Sequence, residues 1–201
     1  MLAEDEYQTI TAPVVTEFKE KGSRFIGHLF PLTEPAEAEK RLNEVRQKHF
    51  NATHNCYAWH WNTETFRYSD DGEPNGTAGK PIYNMLNGSG LLHLLCVVTR
   101  YYGGTMLGTG GLIRAYGQAA RNCLDEAHSK TVIQTSELRI VHGYDETSPV
   151  MHWLEKYEGT VLQSDYDQKV VLTIRMRLKN VDIFTKQLIE ATNNSVKIKA
   201  I

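Results

Sequence analysis

The 201 residues of this chain predict an α+β protein of two domains, one over residues 1–130 and the other over 136–201. Three observations lead there. Strand-like and helix-like apolar periods are mixed before residue 130. The segment SKTVIQTS, Ser129 to Ser136, is short and polar, as a boundary is. After it comes the order strand, helix, strand, strand, helix, strand in about 70 residues, which fits a ferredoxin-like βαββαβ domain with an antiparallel sheet and both helices on one face.

Taken in order, SRFIGHLF has the apolar and aromatic content of a strand. PAEAEKRLNEVRQKHF sets Ala38, Leu42 and Val45 on one helical face. HNCYAWHW alternates His54, Cys56, Ala58 and His60 with the residues between them, so it reads as a strand, with FRYS paired to it. DDGEPNGTAGKP, punctuated by glycine and proline, reads as a loop. LLHLLCVVT is nearly continuous in apolar character, as a strand covered on both faces is. Five of the 15 glycines follow between Gly103 and Gly111, and from Thr109, the expected N-cap, Leu112, Tyr116, Ala119, Cys123 and Ala127 recur at helical spacing. In the second half SELRIVHGY is a strand and SPVMHWLEKY a helix opened by Ser148 and Pro149. GTVLQSDY and QKVVLTIRMRLK are strands, VDIFTKQLIEAT is a helix, and SVKIKA closes as a strand.

Composition excludes several classes. A hydrophobic fraction of 41% with 23% charged residues belongs to an ordered, water-exposed protein. No apolar run approaches the roughly 18 residues that span a bilayer, and MLAEDEYQTI lacks the basic-then-apolar order of a signal peptide, so the expected setting is cytoplasmic, with no membrane partner. Cys56, Cys96 and Cys123 are odd in number and widely spaced, which signals neither a disulfide framework nor a zinc site. Residues 1–130 carry 13 basic against 15 acidic side chains and the remainder 9 against 9. A whole-body basic field is absent, so DNA specificity is not expected and any nucleic-acid contact has to be a local patch.

Four segments carry candidate chemistry. The glycines between Gly103 and Gly111 lie between a strand and a helix N-terminus, the context in which unpaired amides and the helix dipole accept an anion, with Arg100 and Arg114 nearby. Neither the P-loop nor the dinucleotide fingerprint is met, because Leu112 stands where Lys is required and Ile113 where a third glycine is. A purely conformational role for the glycines stays open beside phosphate binding. Asp70, Asp71 and Glu73 could ligate a divalent cation, but adjacent carboxylates seldom converge and the residues around them set a turn-rich recognition loop. His54 and Cys56 share a strand face yet sit about 6 to 7 Å apart, too far for direct thiolate activation. KEKGSRF, with Lys19, Lys21 and Arg24 beside Phe25, mixes cations with an aromatic as a phosphate-contacting edge does, while Glu17 and Glu20 point to a solvated hairpin turn.

Taken together, EKGSRFIG, HNCYAW, DDGEPNGTAGKPI and VVTRYYGGTMLGTGGLIRAY resemble the IMPACT/YigZ family, covering most of residues 17–120; residues 136–201 match its bacterial members by topology. The resemblance implies an N-terminal domain similar to the second domain of a small-subunit ribosomal protein and to domain IV of elongation factor G, followed by a domain similar to domain V of that factor. Eukaryotic relatives regulate translation initiation through a protein activator of a starvation-responsive kinase; their N-terminal accessory domain has no counterpart here. The family pattern falls on Lys21, Arg24, His54, Asn55, Asp70, Asp71, Glu73, Arg100, Tyr101, Tyr102, Gly103, Gly104, Gly108 and Gly110 as one surface binding a ligand or RNA. No catalytic residue, metal ligand or cofactor is assigned. The implied function is a non-catalytic regulator of translation that binds RNA, the ribosome or a regulatory protein. The alternative is a small-molecule or nucleotide enzyme performing metal-assisted hydrolysis through Asp70, Asp71 and Glu73 with Arg100 as a clamp. A third reading is an adaptor working through protein contacts alone.

Overall fold

A computed structural model describes residues 3–201. In chain order the elements are β1 (Glu6–Ile10), β2 (Val14–Glu20), β3 (Ser23–Pro31), α1 (Glu37–Lys48), β4 (His54–His60), β5 (Phe66–Ser69), α2 (Gly79–Gly88), β6 (Leu94–Tyr101) and α3 (Gly108–Glu126). Then follow β7 (Ser129–Ile133), β8 (Thr135–His142), α4 (Thr147–Lys156), β9 (Thr160–Tyr166), β10 (Val170–Arg177), α5 (Val181–Ala191) and β11 (Lys197–Ala200). The chain is thus a mixed α/β protein, and among the described residues no helix is long and apolar enough to cross a membrane.

The chain divides into two compact units. The first is Gln8–Thr131; the second is Val132–Ile201 together with the residues up to Tyr7. Composition groups residues 3–7 with the N-terminal domain, and the structure groups them with the other unit. The physical reason is ionic. Arg177 donates from Nε and Nη2 to the two carboxylate oxygens of Asp5, at 2.8 and 2.9 Å, and from Nη2 to Glu6 at 2.6 Å. The guanidinium hydrogen bonds hold the buried Asp5 carboxyl below its usual range. SKTVI, read as a polar boundary, is β7, which pairs with β1 in a two-stranded sheet.

In the first unit a five-stranded antiparallel sheet runs in the order β2-β3-β6-β4-β5. Its central strand β6 is buried from Leu94 to Arg100, which explains its lack of polar alternation. Phe25, Leu29, Cys56, Ala58, Cys96 and Val98 pack on one face with α2 and α3; Tyr57, Leu95 and Val97 pack on the other with Ala38, Leu42 and Val45 of α1. Helix α2 lies inside what the sequence presents as loop and helix-poor residues. Pro81 is tolerated because it falls in the first turn. The β2-β3 turn is a two-residue hairpin at Lys21 and Gly22, with φ of 46° and 80°.

In the second unit β11-β8-β10-β9 form a four-stranded antiparallel sheet. Val170, Leu172, Ile174 and Met176 alternate into a core shared with Val150 and Leu154 of α4 and Phe184 and Leu188 of α5. Helix α4 begins at Thr147, so Ser148 lies inside its first turn and does not cap it.

Buried imidazoles give the first unit a pH signature. His28 on β3 packs beside His49, ring centroids 5.1 Å apart, and desolvation, with repulsion from His49 and Lys48, pushes its pKa down to about 4. His93, stacked on Trp61, is also pushed to about 4, chiefly by burial. The unfolded chain titrates near 6.5, so between about pH 6.5 and 4 it binds protons that the folded chain refuses. Stability is therefore full above pH 6.5 and falls as pH drops to 4. Urea midpoints measured across that window should decline in the native chain and decline less in His28→Leu; an equal decline in both would contradict the assignment.

Candidate functional site

The end of β6 meets the β2-β3 turn through two glycines. A Cβ on Gly103 would lie 1.8 Å from the Gly22 carbonyl carbon, and the Gly103 N–H donates to Ser23 Oγ at 3.2 Å. Only glycine allows the two backbones this close. The chain then turns through Gly104 and Gly108, with φ of 84° and 70°, and enters α3. Leu107 occupies the N-cap position and makes no side-chain cap, so Thr109 sits within the first turn and not at the cap as its spacing predicts. Nothing lies within 4 Å of a Cβ built on Gly104 or Gly108. Gly108, Thr109 and Gly110 are exposed and the helix start has no capping side chain, which leaves the positive end of the helix dipole available.

Beside this turn lies a buried polar cluster. Arg100, 6% exposed, donates from Nη1 to Glu73 Oε1 at 2.6 Å and from Nη2 to Ser23 Oγ at 3.3 Å. Its guanidinium carbon lies 5.6 Å from the Phe25 ring centroid and 5.5 Å from that of Tyr102. The same Glu73 oxygen accepts from Tyr116 Oη at 2.7 Å, and His54 Nε2 stands 3.9 Å away. Burial, reinforced by Cys56 and Glu73, raises the Tyr116 phenol far above its ordinary range. Burial likewise raises the Cys56 thiol, which donates to the Asp70 carbonyl at 2.9 Å. A thiol held protonated in this way is inert as a nucleophile.

The three acidic residues of the DDGE loop separate by role. Both Asp70 oxygens accept backbone amides, from Gly76 at 2.8 Å and from Ala78 and Gly79 at 3.0 and 2.8 Å, so Asp70 caps α2 from nine residues upstream. Asp71, at φ 45°, accepts the Asn55 N–H at 2.7 Å and Arg46 Nη2 at 3.1 Å, while its carbonyl bonds His54 Nδ1. Glu73 is taken by Arg100 and Tyr116. Each carboxylate is engaged by its own partners, and among the described residues no group of three or more His, Cys, Asp or Glu is placed to hold a metal.

Glu73, Arg100, Tyr102 and Gly108 come together with Met106 and Thr109 around a cavity of about 370 Å³. Lys21 lines a second cavity of about 240 Å³ with Glu20, Gly111, Arg114 and Gln118. Leu107 borders both, so they flank the start of α3. Gly103, Gly104 and Gly110 shape the turn and the first helical turn. Asn55 anchors inward, its Oδ1 accepting Thr99 Oγ1 at 2.7 Å. Arg24 is half exposed and paired with Glu17 at 3.0 Å, its guanidinium over the Tyr101 ring. Tyr101 Oη bonds Asn51 and His49. These last residues line neither cavity. Sequence reasoning passed over Arg46, a helix residue with no motif around it, and Met106, which lines the cavity and is 84% exposed.

Comparison with known proteins agrees with this architecture. The Impact N-terminal domain matches residues 21–124, and a domain of unknown function, DUF1949, matches residues 140–195. The chain is 36% identical over 195 residues to the IMPACT family member YigZ of Escherichia coli (strain K12), covering 94% of this chain and 95% of that one. It is 34% identical to an IMPACT family member of Haemophilus influenzae, covering 96% of each. The crystal structure of a hypothetical protein, 32% identical, superposes with a TM-score of 0.73 over 99% of this chain and 98% of that chain. The chain belongs to the IMPACT family.

Proposed function

We propose that this chain is a non-catalytic, translation-linked binding protein that engages RNA through the start of α3. The observation that carries the reading is the uncapped N-terminus of α3 between two cavities, one with Arg100 at its wall and the other with Lys21 and Arg114. Amides at a helix start, a dipole and flanking cations are what a phosphate requires. Glu73 neutralises Arg100 and Glu20 offsets one charge of the second cavity, so the net positive field comes from the balance of Lys21 and Arg114 together with the helix end. Engagement of the DDGE carboxylates by backbone, Arg46 and Arg100 speaks against hydrolysis through a metal. The strand order β11-β8-β10-β9 supports the ferredoxin-like reading of the second unit, and the antiparallel sheet with helices on both faces accompanies the proposed likeness of the first to elongation factor G domain IV.

Co-sedimentation with ribosomes tests the reading. Lys21→Gln with Arg114→Gln should weaken association about tenfold and flatten its dependence on log salt by about 2. Arg100 is left intact because its loss would disturb the buried pair. Association that ignores both salt and this substitution would overturn the proposal, and association that resists nuclease would move it to a regulatory protein partner.

A further inference from the structure

We propose that the open face of the second unit's sheet is a separate binding site for a single-stranded phosphodiester backbone, built on Arg139, Lys197 and Lys199. The pleat defines this face. On β8 and β10 the buried residues Leu138, Ile140, Leu172 and Ile174 point to the helices, so Arg139, Val141, Val171 and Thr173 point away. Register carries the face onto β11, where Lys199 stands opposite Arg139 and Lys197 opposite Val141. Three exposed cations therefore share one corner of the sheet, two of them directly across a strand pair and two at alternate positions of one strand.

That arrangement is unfavourable without a ligand. Like charges directly opposite on a sheet are destabilising. Among the described residues, no carboxylate lies within 4.0 Å of any of the three. Nearby acids are spent or distant. Glu137 accepts Arg175 from Nε and Nη2, at 3.2 and 2.7 Å. Asp165 aligns through Val171 and Val141 with Lys197, three strand spacings or about 14 Å away, beyond the screening length at physiological salt. Elsewhere in this unit Arg175 and Arg177 each hold a carboxylate, whereas Arg139 stands among cations with none.

The shape selects the occupant. Val141, Val171 and Thr173 leave a low strip beside the cations, and no aromatic residue points from this face, so bases find no stacking platform. Recognition then runs through the backbone alone. Lys197 and Lys199 are about 6.7 Å apart, close to the interval between successive phosphates of an extended strand. An acidic peptide laid across the face could not pair its own amides there, because the ladder bonds lie in the sheet plane; a nucleic-acid backbone has no such groups to satisfy.

The test uses the full chain carrying Lys21→Gln and Arg114→Gln, so that failure of the cavity reading and failure of this one are told apart. Anisotropy of labelled oligouridylate should show binding with a log–log salt slope of about −2, from three phosphate contacts on a single strand. Adding Arg139→Gln, Lys197→Gln and Lys199→Gln should weaken binding at least tenfold and abolish the slope, while the thermal midpoint stays level or rises as the repulsion is relieved. Lys156→Gln, Lys169→Gln and Lys186→Gln remove the same charge elsewhere in the unit and should leave most of the binding. Absence of binding, equal loss in both triple variants, or displacement of the oligonucleotide by polyglutamate as effectively as by unlabelled oligouridylate would overturn the proposal.

Discussion

Arg100→Ala is expected to destabilise the first unit by about 3 to 5 kcal/mol, because it strands a buried carboxylate. Glu73 is 9% exposed, and Arg100 is its cationic partner at 2.6 Å, the remaining strong contact being the Tyr116 hydroxyl. The guanidinium also fills the space between the Phe25 and Tyr102 rings. Replacing both charges, as in Arg100→Met with Glu73→Leu, should cost clearly less than the sum of the single changes, since an apolar pair leaves no ion unpaired. Urea denaturation of the two single variants and the double variant checks this. Additive losses, or a loss below about 1 kcal/mol for Arg100→Ala, would show that the pair contributes little to the stability of the first unit.

Gly103→Ala should be nearly as damaging, at about 3 kcal/mol or more, for a purely steric reason. The added methyl would fall on the Gly22 carbonyl carbon, and backbone on backbone has no rotamer with which to yield. Gly104→Ala supplies the comparison. That residue has φ 84° with nothing within 4 Å of a Cβ, so only the conformational term remains, about 1 kcal/mol. Thermal unfolding of the two variants should rank them in that order; the reverse ranking would mean that the β2-β3 turn separates from β6 at little cost.

Much of the fold was legible because its strongest signals are periodic. Val170 to Met176 alternate as their side chains do, and Ala38, Leu42 and Val45 are buried on α1 as their spacing requires. What escaped was decided by partners distant in sequence. β7 opens on the polar residues Ser129, Lys130 and Thr131, offers only Val132 and Ile133 as apolar signal, and becomes a strand because β1 accepts it. Helix α2 starts without a local cap, since its amides are satisfied by Asp70, and a carboxylate eight or nine residues upstream leaves no local signature. The candidate site divided in the same way. The glycine segment announces a close approach by its composition, but which side chains line the cavities depends on burial. Glu73 lies at the wall of one, while of its neighbours Asp70 serves the backbone and Asp71 the backbone and Arg46. Sequence gives the three the same face value.

The grouping of residues 3–7 with the second unit has a bearing on the order in which the protein can be made. Asp5 leaves the ribosome 172 positions ahead of Arg177. Gln8–Thr131 can complete its own core while the chain is still growing. Residues 3–7 therefore wait through the synthesis of the whole first unit before their guanidinium appears, and the second unit closes only once two segments made far apart in time have met.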